Sequence, residues 1–324
     1  AVLAVIEQVQ PTEIIVDHLA FSARLAMDAA GLSYADVVLG HPTALPVGAE
    51  VYGYPPVWPT AFAPDPAALA ELRALCERVS ENFTAEWNAA LAELNPARPP
   101  SPSAFNEHGE LLLLNYPAEL ASPERGALLP QHQFLGSAVR DEPRDEQVEQ
   151  WLAASSEPFV YLSFGSFLSV RDDVLARVCS ALRILGVRAA IATGSADAAA
   201  LGPLSSEWLV RGFLPQVRLL KEAAAAVTHG GNNSITESMT HGVPLVVLPF
   251  STDQFAAADA IERNGFGFAL APNTASVEEL AEAIEFALHL TGEWRARLEA
   301  LSASLTQVPG RMRARSALRS LRTN

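Results

Sequence analysis

The segment from residue 213 to residue 254 constrains the fold of this chain more than any other. Residues 223–228 form an apolar run compatible with a β-strand, and residues 245–248 form a second run that suits a buried parallel strand. Between them, His229-Gly230-Gly231-Asn232-Asn233 predicts a turn, because glycine and asparagine tolerate positive φ and close backbone approach. A strand, a turn, a helix and a second strand in this order predict an α/β fold.

The helix predicted after this turn has clear boundary signals. Ser234-Ile235-Thr236-Glu237 has the spacing of a capping box, and Gly242 followed by Pro244 marks the helix end. A glycine turn that leads into a helix N-terminus offers free N–H groups and the positive end of the helix dipole. The sequence therefore predicts a phosphate site at the turn, with His229 beside it as a further donor.

The same segment resembles the donor-binding signature of the family 1 glycosyltransferases, which use nucleotide sugars. That signature is ordered and spaced as it is here: Phe213, Pro215-Gln216, His229, Gly231, Asn233-Ser234, Glu237, Gly242-Val243-Pro244 and Asp253-Gln254. Two positions depart from the plant version. Phe213 stands where tryptophan is usual, and Asn232 stands where a tryptophan often precedes Asn-Ser.

The resemblance implies the GT-B fold, in which two Rossmann-like domains face each other across a cleft. We expect residues 1–138 to form a partial N-terminal acceptor-binding domain and residues 139–306 to form the domain that binds the nucleotide-sugar donor. Residues 307–324 are expected to form a helix that returns to the N-terminal domain. The chain starts at Ala1 without a methionine, and at about 30 residues per βα unit roughly 90 preceding residues are expected.

Each matched residue inherits a role from the resemblance. Phe213 is implied to stack on the nucleobase and Gln216 to contact the nucleoside, while Glu237 would bind ribose hydroxyls. The diphosphate would meet His229, Gly231, Asn233 and Ser234, and the sugar hydroxyls would meet Asp253 and Gln254. Gly165-Ser166, after the apolar run 159–163, matches the family's phosphate-facing turn, although an ordinary βα turn has the same residues.

Asp17 is the candidate catalytic residue. It ends a β-branched run, and the carboxyl ends of strands are where open α/β sheets bind ligands. An aspartate here also suits a helix cap or a loop. In the resembled family it would hold and charge a catalytic histidine, expected upstream of Ala1, so residues 1–324 alone are expected to transfer no sugar. His18 is adjacent, but neighbours in sequence need not face the same way.

Residues 41–66 form a loop too rich in proline for a regular element. Its aromatic residues are typical of an apolar ligand pocket, and equally of a packed surface loop: Tyr52, Tyr54, Trp58 and Phe62. The first alternative makes the loop part of an acceptor site.

Composition limits the partners. The net charge of −15 argues against a nucleic-acid partner, because phosphate binding needs basic surface. No run of about 18 apolar residues is present, so no stable membrane insertion is predicted. Cys76 and Cys179 lie in separate helical patterns and are predicted to be free core thiols, which favours a cytoplasmic location.

These observations together predict an inverting, metal-independent glycosyltransferase that moves a sugar to a hydroxyl of a hydrophobic small molecule. No cofactor is expected beyond the nucleotide-sugar co-substrate, for which a UDP-sugar is favoured over a dTDP-sugar. Two alternatives stay open: a non-catalytic helper protein that binds sugar nucleotides, and a sugar-nucleotide epimerase on the same fold. The sequence leaves the oligomeric state open.

Overall fold

A computed structural model describes residues 1–165 and 171–321. The chain folds into two compact units. The first contains residues 1–56, 64–136 and 310–321, and the second contains residues 57–63 and the described residues between Ser137 and Pro309. Acceptor binding by residues 1–138 and donor binding by residues 139–306 stay predictions, since the division of the chain into compact units does not test what each unit binds.

The first unit is built on a four-stranded sheet in the order β1-β2-β3-β4, with every pair parallel. Its strands are Ile15–Asp17, Ala35–Val38, Leu111–Leu114 and His132–Phe134. Its helices, α1 to α4 and the C-terminal α12, are Val2–Val9, Phe21–Ala30, Pro66–Leu94, Pro123–Gly126 and Gly310–Leu321. Parallel strands need crossover connections, and helices α2, α3 and α4 lie in these connections.

Strand β3 shows how this sheet is packed. All four of its leucines are buried, because side chains alternate between two covered faces. Leu112 and Leu114 pack with residues of the loop after β2, whereas Leu111 and Leu113 pack against helix α12 through Ala314, Ala317, Leu318 and Leu321. The apolar side of α12 therefore belongs to the first unit, and Arg311, Arg315 and Arg319 are exposed.

The second unit contains a six-stranded parallel sheet. Its strands, β5 to β10, are Phe159–Ser163, Arg188–Ala192, Leu209–Arg211, Ala225–Thr228, Leu245–Val247 and Gly267–Ala269. Its helices, α5 to α11, are Glu146–Ala153, Asp172–Leu185, Gln216–Leu220, Asn232–Thr240, Asp253–Asn264, Val277–Leu288 and Gly292–Gln307. The core between sheet and helices includes Leu162, Leu175, Ile191, Val227 and Ile284.

The strand order of the second sheet is β10-β9-β8-β5-β6-β7. Counted within the unit, the order is 6-5-4-1-2-3, which is that of the dinucleotide-binding Rossmann fold. The predicted α/β class is confirmed. No helix among residues 1–165 and 171–321 is long and apolar enough to cross a membrane. Cys76 and Cys179 are free and buried, as predicted.

Candidate functional site

The second sheet has a topological switch point between β5 and β8. These strands are neighbours, but the chain leaves β5 toward β6 on one side and leaves β8 toward β9 on the other. The connections therefore diverge and leave a crevice at the carboxyl ends of the two strands, where open α/β sheets bind ligands. Gly165 follows β5 and His229 follows β8, so both predicted residues lie at the crevice at the carboxyl ends of these strands.

Two glycines form the walls around the His229 imidazole. Gly165 has φ 68°, and a Cβ built on it would lie 2.9 Å from the His229 Cε1. A Cβ at Gly231 would collide with the His229 Nε2. The ring therefore packs against bare backbone on both sides, which explains why glycine is required at both positions. Ser166, predicted beside Gly165, lies outside the described residues.

His229 is a neutral imidazole at physiological pH. Burial lowers its pKa from 6.5 to about 4, because a charged ring would lose its hydration. Its Nδ1 atom is buried and has no hydrogen-bond partner among the described residues. A neutral imidazole carries one N–H donor, so His229 can donate one hydrogen bond to an anion without itself being charged.

Helix α8 starts at Asn232, three residues earlier than the sequence predicted. Gly231 is its N-cap, and a glycine has no side chain that could cap the helix. The predicted capping box of Ser234 and Glu237 is therefore wrong, because both residues lie inside the helix. The correction keeps the phosphate site at this helix start, since the first-turn N–H groups of a helix have no partner within the helix and the N-terminus carries the positive end of the dipole. Asn233 is exposed in this turn, and Ser234 is 9% exposed.

Gln216, Ser234 and Glu237 form a second cluster. The Gln216 Nε2 donates a hydrogen bond of 2.6 Å to Glu237 Oε2 and lies 3.5 Å from Ser234 Oγ. Burial raises the pKa of Glu237, and the hydrogen bond from Gln216 opposes that rise. Glu237 thus offers a partly desolvated carboxylate with spare acceptor capacity, which suits a pair of neighbouring hydroxyl groups.

Phe213 lies in the connection from β7 to α7, and its side chain is 70% exposed. An exposed phenylalanine costs free energy unless a ligand or partner covers it. Its position, three residues before Gln216, places a flat apolar surface near the cluster with Glu237. Stacking on a nucleobase stays a prediction.

Asp253 and Gln254 begin helix α9. The Gln254 Oε1 accepts hydrogen bonds from the backbone N–H groups of Phe250 at 2.9 Å and Ser251 at 3.3 Å. The amide oxygen is therefore committed to the turn before the helix, and any sugar contact by Gln254 uses its NH₂ group. Asp253 is half-buried, and the Thr252 hydroxyl lies 3.1 Å from its Oδ1.

Two residues escaped the sequence reasoning. Glu142, which precedes helix α5, accepts a hydrogen bond from the backbone N–H of Arg218 in α7, and its charge contributes to the raised pKa of Glu237. Thr252 has φ 47°, an unusual conformation for a β-branched residue. No local sequence pattern marks either residue. Glu142 contacts a residue far away in the chain, and Thr252 is distinguished only by its backbone angle.

In the first unit, Asp17 is the last residue of β1. Its carboxylate is exposed and accepts the Leu19 N–H at 2.9 Å. A role in catalysis stays a prediction. His18 is only 2% exposed, and its Nδ1 lies 3.5 Å from Asp36 Oδ1. A bound substrate cannot reach a ring that is buried in the interior, so His18 has no catalytic role in our account.

The aromatic loop divides between the two units. Tyr52 stacks on Phe105 with ring centroids 3.8 Å apart, and both line a cavity of about 500 Å³ in the first unit. Trp58 and Phe62 pack on Phe255 of α9 in the second unit, with centroids 4.4 and 5.2 Å away. One part of the loop therefore lines a cavity, and the other part is packed on α9; an acceptor site at this loop stays a prediction.

The family model described as "UDP-glucoronosyl and UDP-glucosyl transferase" matches residues 70–293. The chain belongs to this family. Among curated members, it is 27% identical over 184 residues to the "Uncharacterized UDP-glucosyltransferase YdhE" of Bacillus subtilis (strain 168). The matched region covers 56% of this chain and 46% of that protein. It is 28% identical over 265 residues to the "Glycosyltransferase GtfE" of Amycolatopsis orientalis, covering 78% and 61%. The chain thus spans about half the length of the first curated relatives it matches.

Solved structures of glycosyltransferases share the fold. The "Spinosyn Forosaminyltransferase SpnP" superposes with a TM-score of 0.73 at 15% identity, covering 99% of this chain and 79% of that one. The "Glycotransferase of kitacinnamycin" superposes with a TM-score of 0.71 at 22% identity, covering 97% and 77%. The member described here therefore has the GT-B fold with Rossmann-like units, as the sequence predicted.

Proposed function

We propose that this family member transfers a sugar from a nucleoside-diphosphate sugar to a hydroxyl group of a hydrophobic small molecule. The observation that carries the proposal is the N-terminus of α8, which has Gly231 as its N-cap, beside the neutral His229 at the switch point of the second sheet. A diphosphate is the ligand that such a group of donors suits best, because it is anionic and accepts several hydrogen bonds at once.

The nucleoside end of the donor fits the second cluster. Ribose presents two neighbouring hydroxyls, and the carboxylate of Glu237 can accept both while Gln216 holds it in place. The exposed ring of Phe213 offers a face for the nucleobase. We propose a UDP-sugar as the donor in preference to a dTDP-sugar, in line with the name of the family.

The chemistry requires three events. The acceptor hydroxyl loses a proton, the bond from the anomeric carbon to the diphosphate breaks, and the acceptor oxygen forms the new bond to that carbon. Charge accumulates on the departing diphosphate, where the α8 N–H groups and the His229 donor are aimed. A single direct displacement inverts the anomeric configuration, and we propose inversion without participation of a metal ion.

The acceptor is the least defined substrate. The cavity of about 500 Å³ in the first unit has the size of a small-molecule site, and the Tyr52–Phe105 stack gives it an aromatic wall. The aromatic wall supports an acceptor with a hydrophobic ring, and the polar residues that also line the cavity, among them Ser80 and Asn88, suit the hydroxyl groups of that acceptor. Asp17 is proposed to orient and charge the base that takes the acceptor proton.

A panel of nucleotide sugars tests the proposal: each is incubated with the full-length protein and a mixture of hydroxylated aromatic acceptors, and the products are assayed by mass spectrometry. We expect a mass gain of one sugar residue, release of the nucleoside diphosphate, inversion in the NMR spectrum of the product, and unchanged rates in EDTA. A helper protein would bind the nucleotide without a mass gain in any acceptor. An epimerase would change the free sugar and leave the acceptors unmodified.

A further inference from the structure

We propose that Thr252 is a positioning residue: its hydroxyl holds the Asp253 carboxylate in the orientation that selects the donor sugar. This inference rests on the proposed function, because Asp253 is assigned to the sugar there. It adds a residue to which neither the family signature nor the sequence assigns a role.

The first observation is the backbone of Thr252. Its φ of 47° and ψ of −121° lie outside the regions open to L-residues, and a β-branched side chain makes the conformation more costly still. Thr252 and Gln10 are the two non-glycine residues with positive φ among residues 1–165 and 171–321. Gln10 ends helix α1 in a left-handed conformation that commonly terminates helices, so its positive φ has an ordinary cause.

The turn around Thr252 explains how the conformation is maintained. Gln254 accepts the N–H groups of Phe250 and Ser251 with its side-chain oxygen, and its own N–H donates to Ser251 O at 3.1 Å. The chain between strand β9 and helix α9 is therefore folded back around the Gln254 amide. Thr252 lies inside that closed turn and takes the positive φ that the closure demands.

A glycine would adopt this conformation without strain, so the presence of threonine calls for a compensating contact. That contact is the approach of Thr252 Oγ1 to Asp253 Oδ1 at 3.1 Å. A hydroxyl that donates to a carboxylate restricts the rotation of that carboxylate. Sugars with the same formula differ in the direction of single hydroxyls, and a fixed acceptor distinguishes them better than a rotating one.

Three variants separate the effect of the Thr252 hydroxyl from the effect of the strained backbone at this residue. Thr252→Val keeps the β-branched shape and removes the hydroxyl. Thr252→Gly removes both, and Thr252→Ser keeps the hydroxyl on a smaller side chain. For each variant, calorimetry measures the affinity for UDP, UDP-glucose and UDP-galactose, and thermal unfolding gives the stability.

We expect the ratio of the UDP-glucose to UDP-galactose affinities to move toward one by about 3- to 10-fold in Thr252→Val and Thr252→Gly, the scale of one hydrogen bond. Affinity for UDP is expected to stay within about twofold, and Thr252→Ser to keep the wild-type ratio. Thr252→Gly is expected to unfold at a higher temperature than wild type, by about 2–4 °C, despite its loss of selectivity.

A wild-type ratio in Thr252→Val would overturn the inference, since the hydroxyl would then be dispensable. Equal losses of UDP and UDP-sugar affinity would also overturn it, because they would indicate a general disturbance of the turn. A wild-type chain that binds none of the three ligands would contradict the proposed function itself, which distinguishes the two failures.

Discussion

Gln216 and Glu237 are joined by a hydrogen bond of 2.6 Å although 21 residues separate them in the chain. Gln216 begins helix α7, and Glu237 lies inside helix α8, so the bond ties the two helices together beside the switch point. Glu237 is only 9% exposed, and burying a carboxylate is costly even with one donor. Because the buried carboxylate lowers the stability of the fold, we infer that the charge of Glu237 serves a function. We assign to it the binding of the ribose hydroxyls.

Glu237→Gln is expected to weaken UDP binding and to stabilise the free protein. The neutral amide accepts ribose hydroxyls more weakly, which should cost about 1–2 kcal/mol of UDP affinity. Because burial raises the pKa of Glu237 above 4.5, the folded state binds more protons than the unfolded state above that pH, and stability falls as pH rises through the folded pKa. The variant should lack this fall and unfold at a higher temperature at pH 7.

Isothermal titration calorimetry and thermal unfolding at pH 5 and pH 7 measure both effects. Glu282→Gln, an exposed change on helix α10, is the matched control and should alter neither quantity. Unchanged UDP affinity in Glu237→Gln would leave Glu237 with a structural role only.

His229 provides a prediction about acid stability. Its pKa is lowered to about 4 in the folded state and is 6.5 when unfolded, so between these values the unfolded state binds more protons. Stability is therefore lost as pH falls from about 6.5 to about 4. His229→Gln should show a shallower loss in this window and bind UDP about 3- to 10-fold more weakly, the scale of one neutral hydrogen bond.

The control for His229 is His289→Gln, at an exposed position after helix α10. Denaturant titrations at half-unit pH steps give the stability curves of both variants and of wild type. Parallel curves for His229→Gln and wild type between pH 6.5 and pH 4 would show that the buried imidazole does not control acid stability.

Asp17→Asn is expected to lower turnover by about tenfold or more, the scale of a weakened general base. The fold should be preserved, because the asparagine oxygen can still accept the Leu19 N–H. UDP affinity should not change, since the residue lies in the first unit. The measurement is steady-state kinetics in an active preparation of the protein, with UDP affinity determined in parallel. A normal rate in the variant would place the orienting carboxylate elsewhere.

Tyr52→Leu tests the proposed acceptor cavity. Loss of the stack on Phe105 should raise the KM for an aromatic acceptor about 5- to 10-fold, on the scale of an aromatic pair in a ligand pocket, with kcat and UDP affinity nearly unchanged. Tyr54→Leu is the control, because Tyr54 contacts Arg73 and does not line the cavity. A larger effect from Tyr54 than from Tyr52 would argue for a different acceptor site.

The fold was predictable because its signals are local. Apolar runs at residues 159–163, 223–228 and 245–248 marked strands β5, β8 and β9, and glycine marked the turns after β5 and β8, where Gly165 and Gly230 have positive φ. The order of strands in the second sheet was not available from any local pattern, since parallel pairing joins residues far apart in sequence. The resemblance to the family supplied what periodicity could not.

The capping box shows where local reasoning fails. The same S-x-x-E spacing occurs at residues 234–237 and 276–279. At Ser276 both reciprocal hydrogen bonds form and helix α10 starts there, whereas helix α8 has already started two residues before Ser234. The difference is tertiary: the Glu237 carboxylate accepts a hydrogen bond from Gln216 of another helix. The spacing alone does not distinguish the two cases.

The most direct test of the donor site is calorimetric titration of the wild-type protein with UDP and, separately, with uridine. The account predicts saturable one-to-one binding of UDP at least about 100-fold tighter than that of uridine, since a diphosphate at the α8 N-terminus should contribute about 3 kcal/mol through several charge-assisted hydrogen bonds. Gly231→Ala, whose Cβ would collide with the His229 ring, should remove most of that difference. Equal affinities for UDP and uridine in the wild-type protein would contradict the claim that this helix N-terminus and His229 form a diphosphate site.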